Sequence, residues 1–218
     1  MSTADSPAER RAAMVRDQLA RRGLHDERVL AAMADVPREA FVPPSAADRA
    51  YDDGALPIGD GQTISQPFVV AEMLAALDLG PEDRLLEVGA GSGYAAAVAG
   101  RLCARVVAVE RVARLAGEAA ARLARLGYSN VAVVHADGTL GWAEEAPYDA
   151  VLVSAAAPEI PPALLEQLGP AGRLVAPVGR RPGGQRLVRA RRTGVGVELD
   201  SLGAVAFVPL IGAQGWPA

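Results

Sequence analysis

Gly89-Ala90-Gly91-Ser92-Gly93 lies directly between an apolar run, Arg84–Val88, and a helix-forming stretch that starts at Tyr94. At the carboxyl end of a parallel strand, glycines let the backbone approach a ligand and take up turn angles closed to other residues. Glu110 ends the next apolar run, 21 positions after Gly89. A carboxylate there can accept hydrogen bonds from both hydroxyls of a ribose; the plain alternative is a strand-end Glu beside Arg111. Asp137-Gly138 ends the third run. Its carboxylate suits an exocyclic adenine amine, and the pair reads equally as an Asp-Gly turn. Glu87 places a further acid inside the first strand. These residues suit an adenosine-bearing ligand. A dinucleotide fingerprint needs Gly or Ala at the sixth position of the glycine loop, where close helix–strand packing is required. Tyr94 stands there, which disfavours a pyrophosphate ligand.

A second concentration of chemistry lies in residues 51–68, where three glycines and two prolines forbid regular structure over most of the span. Long structureless loops inside compact domains are usually functional. Thr63, Ile64, Phe68, Val69 and Val70 are too apolar for a surface linker. Ser65 is a hydroxyl in this loop, and also a candidate cap for a helix starting at Pro67.

Composition closes other routes. The chain has 218 residues and no lysine; its basic residues are 22 arginines. Schiff-base chemistry and a P-loop lysine are therefore absent. One cysteine, Cys103, and two histidines, His25 and His135, cannot supply a Cys/His zinc site, and no disulfide forms within the chain. No metal is expected. Cys103, among apolar neighbours, reads as a buried thiol. Ser92 lacks the G-x-S-x-G frame of a hydrolase elbow. A net charge of −4 argues against nucleic acid as a partner. The segment Ser2-Thr3-Ala4-Asp5-Ser6-Pro7 has no apolar core of a signal peptide, and the uncharged residues 201–218 are broken by Gly and Pro. The expectation is a cytoplasmic protein with no membrane partner.

These residues must be positioned by a regular frame. Helices are expected over residues 9–22, ended by Gly23, and over a stretch capped by Asp26 and closed by Pro37, with a short third near 45–49. Helices at 67–77, 94–102, 113–126 and 161–168 alternate with strands at 84–88, 105–109, 131–135, 149–154 and 173–178. This rhythm demands an α/β fold with a doubly wound, mostly parallel sheet. Residues 186–191 and 204–210 are expected to pair as an antiparallel C-terminal edge. The arginines at 189, 191 and 192 read as a solvated edge. The whole chain, 1–218, reads as one domain: an N-terminal helical cap (1–50), an active-site loop (51–68), a donor-binding core (69–180) and C-terminal edge strands (181–218).

The G-x-G-x-G spacing with Glu87 resembles the loop of S-adenosylmethionine-dependent methyltransferases. The resemblance becomes specific through Val36-Pro37-Arg38-Glu39-Ala40-Phe41-Val42-Pro43, the segment Gln62-Thr63-Ile64-Ser65-Gln66-Pro67, Leu86-Glu87-Val88-Gly89, Asp137-Gly138 through Gly141-Trp142, and Phe207-Val208-Pro209-Leu210. Along nearly its whole length the chain resembles the protein-L-isoaspartate O-methyltransferase family.

That resemblance implies a Rossmann-like methyltransferase fold and S-adenosylmethionine as cofactor. It implies Ser65 as the active-site serine and Gln62, Thr63 and Ile64 as the segment closing over the donor. Donor-binding positions would be Glu87, Gly89, Gly91, Gly93, Glu110, Asp137 and Gly138. The acceptor, an isoaspartyl peptide or protein, would lie along residues 205–210, with Val205 and Val208 as contacts. Phe68 stands where relatives often carry His or Tyr, so it keeps an aromatic face without a hydrogen bond. A monomer is expected. The proposed acceptor oxygen is an α-carboxylate, ionised at neutral pH and in need of no general base, which matches the scarcity of His and Lys. Two other readings stay open at the level of sequence: a carboxyl methyltransferase serving one dedicated peptide, and a non-catalytic adenosine-binding module.

Overall fold

A computed structural model of the chain describes residues 5–180 and 184–217. Positions 2–4 of the N-terminal segment and the first residues of the 181–218 edge lie outside that range. Helix α1 (Pro7–Ala13) opens with a reciprocal capping box between Ser6 and Glu9. It continues through a wider turn, Met14–Leu19, and a tighter one, Ala20–Arg22, before Gly23 ends it with a left-handed φ of 94°. Asp26 caps α2 (Glu27–Asp35), its carboxylate accepting from the backbone N–H of Arg28 and Val29. The short third helix is a 3₁₀ segment, Pro44–Arg49.

Residues 51–68 depart from the sequence expectation. They carry a two-stranded antiparallel hairpin, β1 (Leu56–Gly59) and β2 (Gln62–Ile64). The connection is Asp60-Gly61, with φ of 50° and 70°. A two-residue hairpin turn with positive φ at both central positions selects such a pair, so the glycines shape the strand pairing instead of preventing it.

Beyond α3 (Pro67–Leu77) the chain alternates as its pattern dictates: β3 (Arg84–Val88), α4 (Tyr94–Ala99), β4 (Arg105–Glu110), α5 (Ala113–Arg125), β5 (Val131–His135), β6 (Tyr148–Val153), α6 (Pro162–Glu166), β7 (Leu168–Val178), β8 (Arg186–Thr193) and β9 (Gly196–Ala204). The main sheet runs β5-β4-β3-β6-β7-β8-β9. Neighbours from β5 to β7 are parallel, and β8 and β9 are antiparallel. Connections from β3 run outward to β4 and β5, then return to β6 on its other side, so the strand order reverses between β3 and β6. Ligands of open α/β sheets bind at such a switch point. Leu85, Ala108 and Leu152 pack toward the N-terminal helices, α3 and α4; Leu86, Val107 and Val151 pack toward α6 on the opposite face.

The C-terminal edge also differs. β8 pairs with residues 196–204, across the two-residue connection Gly194-Val195, so that of the expected stretch 204–210 only Ala204 takes part, opposite Arg186. Arg189 and Arg191 lie 3.0 Å from Asp200 on β9, a cross-strand charge ladder where a solvated arginine run was expected. Residues 205–210 leave this pairing and run beside Ala156, whose N–H donates to the Val208 carbonyl and whose carbonyl accepts from Leu210. Among the described residues no helix is long and apolar enough to cross a membrane.

Candidate functional site

The glycine loop folds back onto β4. The N–H groups of Gly89 and Ala90 both donate to the Val109 carbonyl, at 2.8 and 3.1 Å. The Glu110 carboxylate clasps the loop from outside: Oε2 accepts from Gly91 N–H and Oε1 from Val112 N–H, both at 2.8 Å. Glu110 is buried. Each oxygen spends one lone pair in this way and keeps another for a ligand. Gly91 has a φ of 52°, and a Cβ there would stand 3.3 Å from the Ile58 side chain of the hairpin. Its lack of a side chain lets β1 close over the loop. Gly93 lies behind, capping α4.

A cavity opens at the tips of β3 and β4. Gln62 and Thr63 line it from the hairpin, Gly89, Gly91 and Glu110 from the sheet, and Val208 from the C-terminal run. Gly138 completes the floor, where a Cβ would lie 2.6 Å from the Val88 side chain. Asp137 does not reach this lining. Its Oδ1 accepts from the Thr139 N–H and hydroxyl, and its Oδ2 from Ala213 N–H. These bonds clasp the C-terminal turn to the end of β5.

A second chamber adjoins the first, lined by Ile64, Ser65, Glu87, Gly89 and Ser154. Glu87 is fully buried. The Ser154 hydroxyl is 3.4 Å from Oε1, and Oε2 has no hydrogen-bond partner among the described residues. Burial pushes its carboxyl up to about 8, and the nearby Glu110 charge acts in the same direction.

Outside both lies an open cleft of about 500 Å³, lined by Thr63, Ser65, Gln66, Gln185 and residues 204–208, including Val205 and Val208. No cationic side chain lines it among the described residues. Gln185 shapes its wall: its side-chain amide accepts from the Phe207 N–H at 2.6 Å and donates to the Phe207 carbonyl. Thr63 and Ser154 border all three spaces, and Ser65 borders the inner chamber and the cleft. The cap of α3 is Gln66, with no side-chain cap bond. Ser65 is thus not spent as a helix cap, and no hydrogen bond engages its hydroxyl among the described residues. Phe68 is not part of the lining. It lies under the Arg22 guanidinium, 3.9 Å from Cζ to ring centroid.

Ser154 and Gln185 were missed in the sequence. Ser154 had a signal, as a small polar residue directly after the apolar run of β6, beside the strand that carries the glycine loop. Gln185 had none, since its partner is the main chain 22 positions away. Cys103 is buried, with its thiol pushed up to about 12 by that burial, and His135 is exposed with Nε2 3.1 Å from the Arg111 carbonyl. Neither touches the cavities.

Sheet order, glycine loop and strand-end acid together define an α/β domain of the methyltransferase kind. The family model described as protein-L-isoaspartate(D-aspartate) O-methyltransferase matches residues 9–215. The chain is 53% identical to protein-L-isoaspartate O-methyltransferase 1 of Rhodopseudomonas palustris strain HaA2, over 98% of this chain and 87% of that one. It is 55% identical to the protein-L-isoaspartate O-methyltransferase of Roseiflexus castenholzii, over 97% and 96%. A solved protein-L-isoaspartate O-methyltransferase superposes with a TM-score of 0.85 at 28% identity, covering 94% of this chain and 67% of that one. A structure from Plasmodium falciparum, described as a protein of the same kind in complex with S-adenosyl-L-homocysteine, gives 0.78 at 27% identity, over 92% and 98%. The chain belongs to the protein-L-isoaspartate O-methyltransferase family.

Proposed function

We propose that the protein transfers a methyl group from S-adenosylmethionine to the α-carboxylate of L-isoaspartyl residues in damaged proteins. The observation that carries this reading is the place of Ser65, whose hydroxyl, unengaged among the described residues, stands where the inner chamber meets a cleft that no described cationic side chain lines. Family membership and the S-adenosyl-L-homocysteine in the Plasmodium falciparum relative support the donor.

The residues present fit that donor. Glu110, oriented by two backbone N–H groups, keeps lone pairs for a ribose diol. The orphaned Oε2 of Glu87 offers an acceptor to an amine. Gly89, Gly91 and Gly138 leave room for a flat ring against the sheet, with Gln62, Thr63 and Ile64 closing from the hairpin. Gly93 and Asp137 support the loops that carry these contacts. When bound, the donor supplies a methyl carbon made electrophilic by a sulfonium.

On the acceptor side the peptide lies along Val205 and Val208, with Phe68 behind the loop. An α-carboxyl ionises near about 3.5, so no residue has to remove a proton. Ser65 aims the oxygen, and the apolar wall excludes water. A cation in the cleft would stabilise the ionised acceptor, whose charge is lost on reaction; a neutral hydroxyl orients it without that cost. The product ester closes to a succinimide with loss of methanol, and hydrolysis of the ring returns part of the population to normal aspartyl.

We read residues 1–218 as one domain with the four parts set out above. It acts as a monomer in the cytoplasm, where a reducing milieu suits a single thiol. The test offers isoaspartyl and aspartyl versions of one peptide with methyl-labelled donor. Labelling of the isoaspartyl peptide alone is expected, and Ser65→Ala lowers kcat/KM about tenfold or more, equivalent to ~1.4 kcal/mol. Equal labelling of the two peptides, or of neither, overturns the reading.

A further inference from the structure

Arg38 is the one basic side chain fully buried among the described residues, and no carboxylate there answers its charge. The neighbouring Glu39 is taken by the Tyr51 hydroxyl and by Arg11 at 3.8 Å. Burial lowers the pKa of Arg38 from the usual arginine range, with the Tyr94 phenol opposing. A buried charge without a counter-ion is costly and persists where its hydrogen bonds hold something in place.

Those bonds are specific. Nε donates to the Ala50 carbonyl and Nη2 to the Ser65 carbonyl, both at 2.7 Å. The guanidinium also stacks on Tyr94, the first residue of α4, at 4.8 Å from Cζ to ring centroid. One planar group therefore joins the N-terminal cap, the main chain of Ser65 and the helix that leaves the glycine loop. Among the described residues Ser65 has no side-chain hydrogen bond to set its direction, so its main-chain anchor sets it.

We infer that Arg38 is a positioning residue: by gripping the Ser65 carbonyl from the buried side, it fixes the serine hydroxyl where the inner chamber meets the cleft. This rests on the reading of Ser65 as the acceptor-orienting group. Lysine keeps the charge but lacks the rigid two-pronged donor.

The test is a double-mutant cycle with Arg38→Lys and Ser65→Ala, read as kcat and KM for an isoaspartyl peptide and as affinity for S-adenosylhomocysteine. Arg38→Lys is expected to lower kcat about tenfold or more, leave S-adenosylhomocysteine affinity within about twofold, and cost less than about threefold when Ser65 is already Ala. Full cost retained in the Ser65→Ala background overturns the inference, as does a parallel loss of S-adenosylhomocysteine affinity or unchanged turnover. Failure of Arg38→Lys to fold also overturns it, because the guanidinium is then a brace of the core. Unchanged turnover in Ser65→Ala alone overturns the reading of Ser65, and is recognisable before Arg38 is altered.

Discussion

Arg114 on α5 reaches the hairpin tip, its Nη2 2.7 Å from Asp60 Oδ2 and its Nε 2.9 Å from the same oxygen. The contact tethers the turn of β1 and β2, and through it Gln62 and Thr63, above the cavity beside Glu110. Both side chains are nearly half exposed, so solvent screens the pair and it contributes little to global stability. Arg114→Ala should leave the melting temperature almost unchanged and speed release of S-adenosylhomocysteine by about three- to tenfold, as a freed hairpin opens more often. Stopped-flow dissociation checks this, and raised salt should move the parent toward the variant.

Glu110 faces a sharper demand. Its two oxygens accept from Gly91 and Val112, and an amide has only one acceptor oxygen to offer those two donors. In Glu110→Gln the amide NH₂ would oppose one of the N–H groups and the loop would shift. Hydrogen bonds to charged groups contribute about 1.5–3 kcal/mol each. Affinity for S-adenosylhomocysteine in calorimetry should fall by about 10- to 100-fold, while kcat at saturating donor falls much less.

Glu87 links stability to pH. Its carboxyl is pushed up to about 8 from an ordinary 4.5, first by burial. Between those two values the folded state holds a proton that the unfolded chain releases. Stability therefore falls as pH rises through that window, and the contribution is fully present below it. Glu87→Gln, neutral at every pH, should flatten this slope. Urea unfolding at pH 5, 7 and 8.5 reads the difference; a slope equal to the parent's would locate the titration elsewhere.

Most of the frame could be read from the order of residues because its signals are local. Short apolar runs mark β3, β4 and β5, the first closed by Gly89, and Asp26 with Gly23 marks the helical boundaries. The parts that escaped depend on contacts distant in sequence. Residues 51–68 read as an irregular loop from their glycines and prolines, and the pairing of Leu56 with Ile64 appears only when the two short strands are set side by side. The last edge strand was misplaced because Val197 and Leu199 are exposed in β9, so that strand buries no apolar face there, whereas Phe207-Val208-Pro209-Leu210 is a compact apolar run. For the candidate site, residue types placed Ser65, Glu87, Gly89 and Glu110 around connected spaces. They gave no warning that the Asp137 carboxylate turns to Thr139 and Ala213, or that Phe68 lies beneath Arg22.

Val208 borders the chamber at the strand tips and the open cleft alike. It works as a party wall, with one isopropyl group setting the dimensions of two rooms. Widening the outer room by trimming that side chain also loosens the inner one, and thickening it crowds both. Tailoring of the polypeptide preference is freer at Ala204 or Ala206, which face the outer room alone, than at the shared partition.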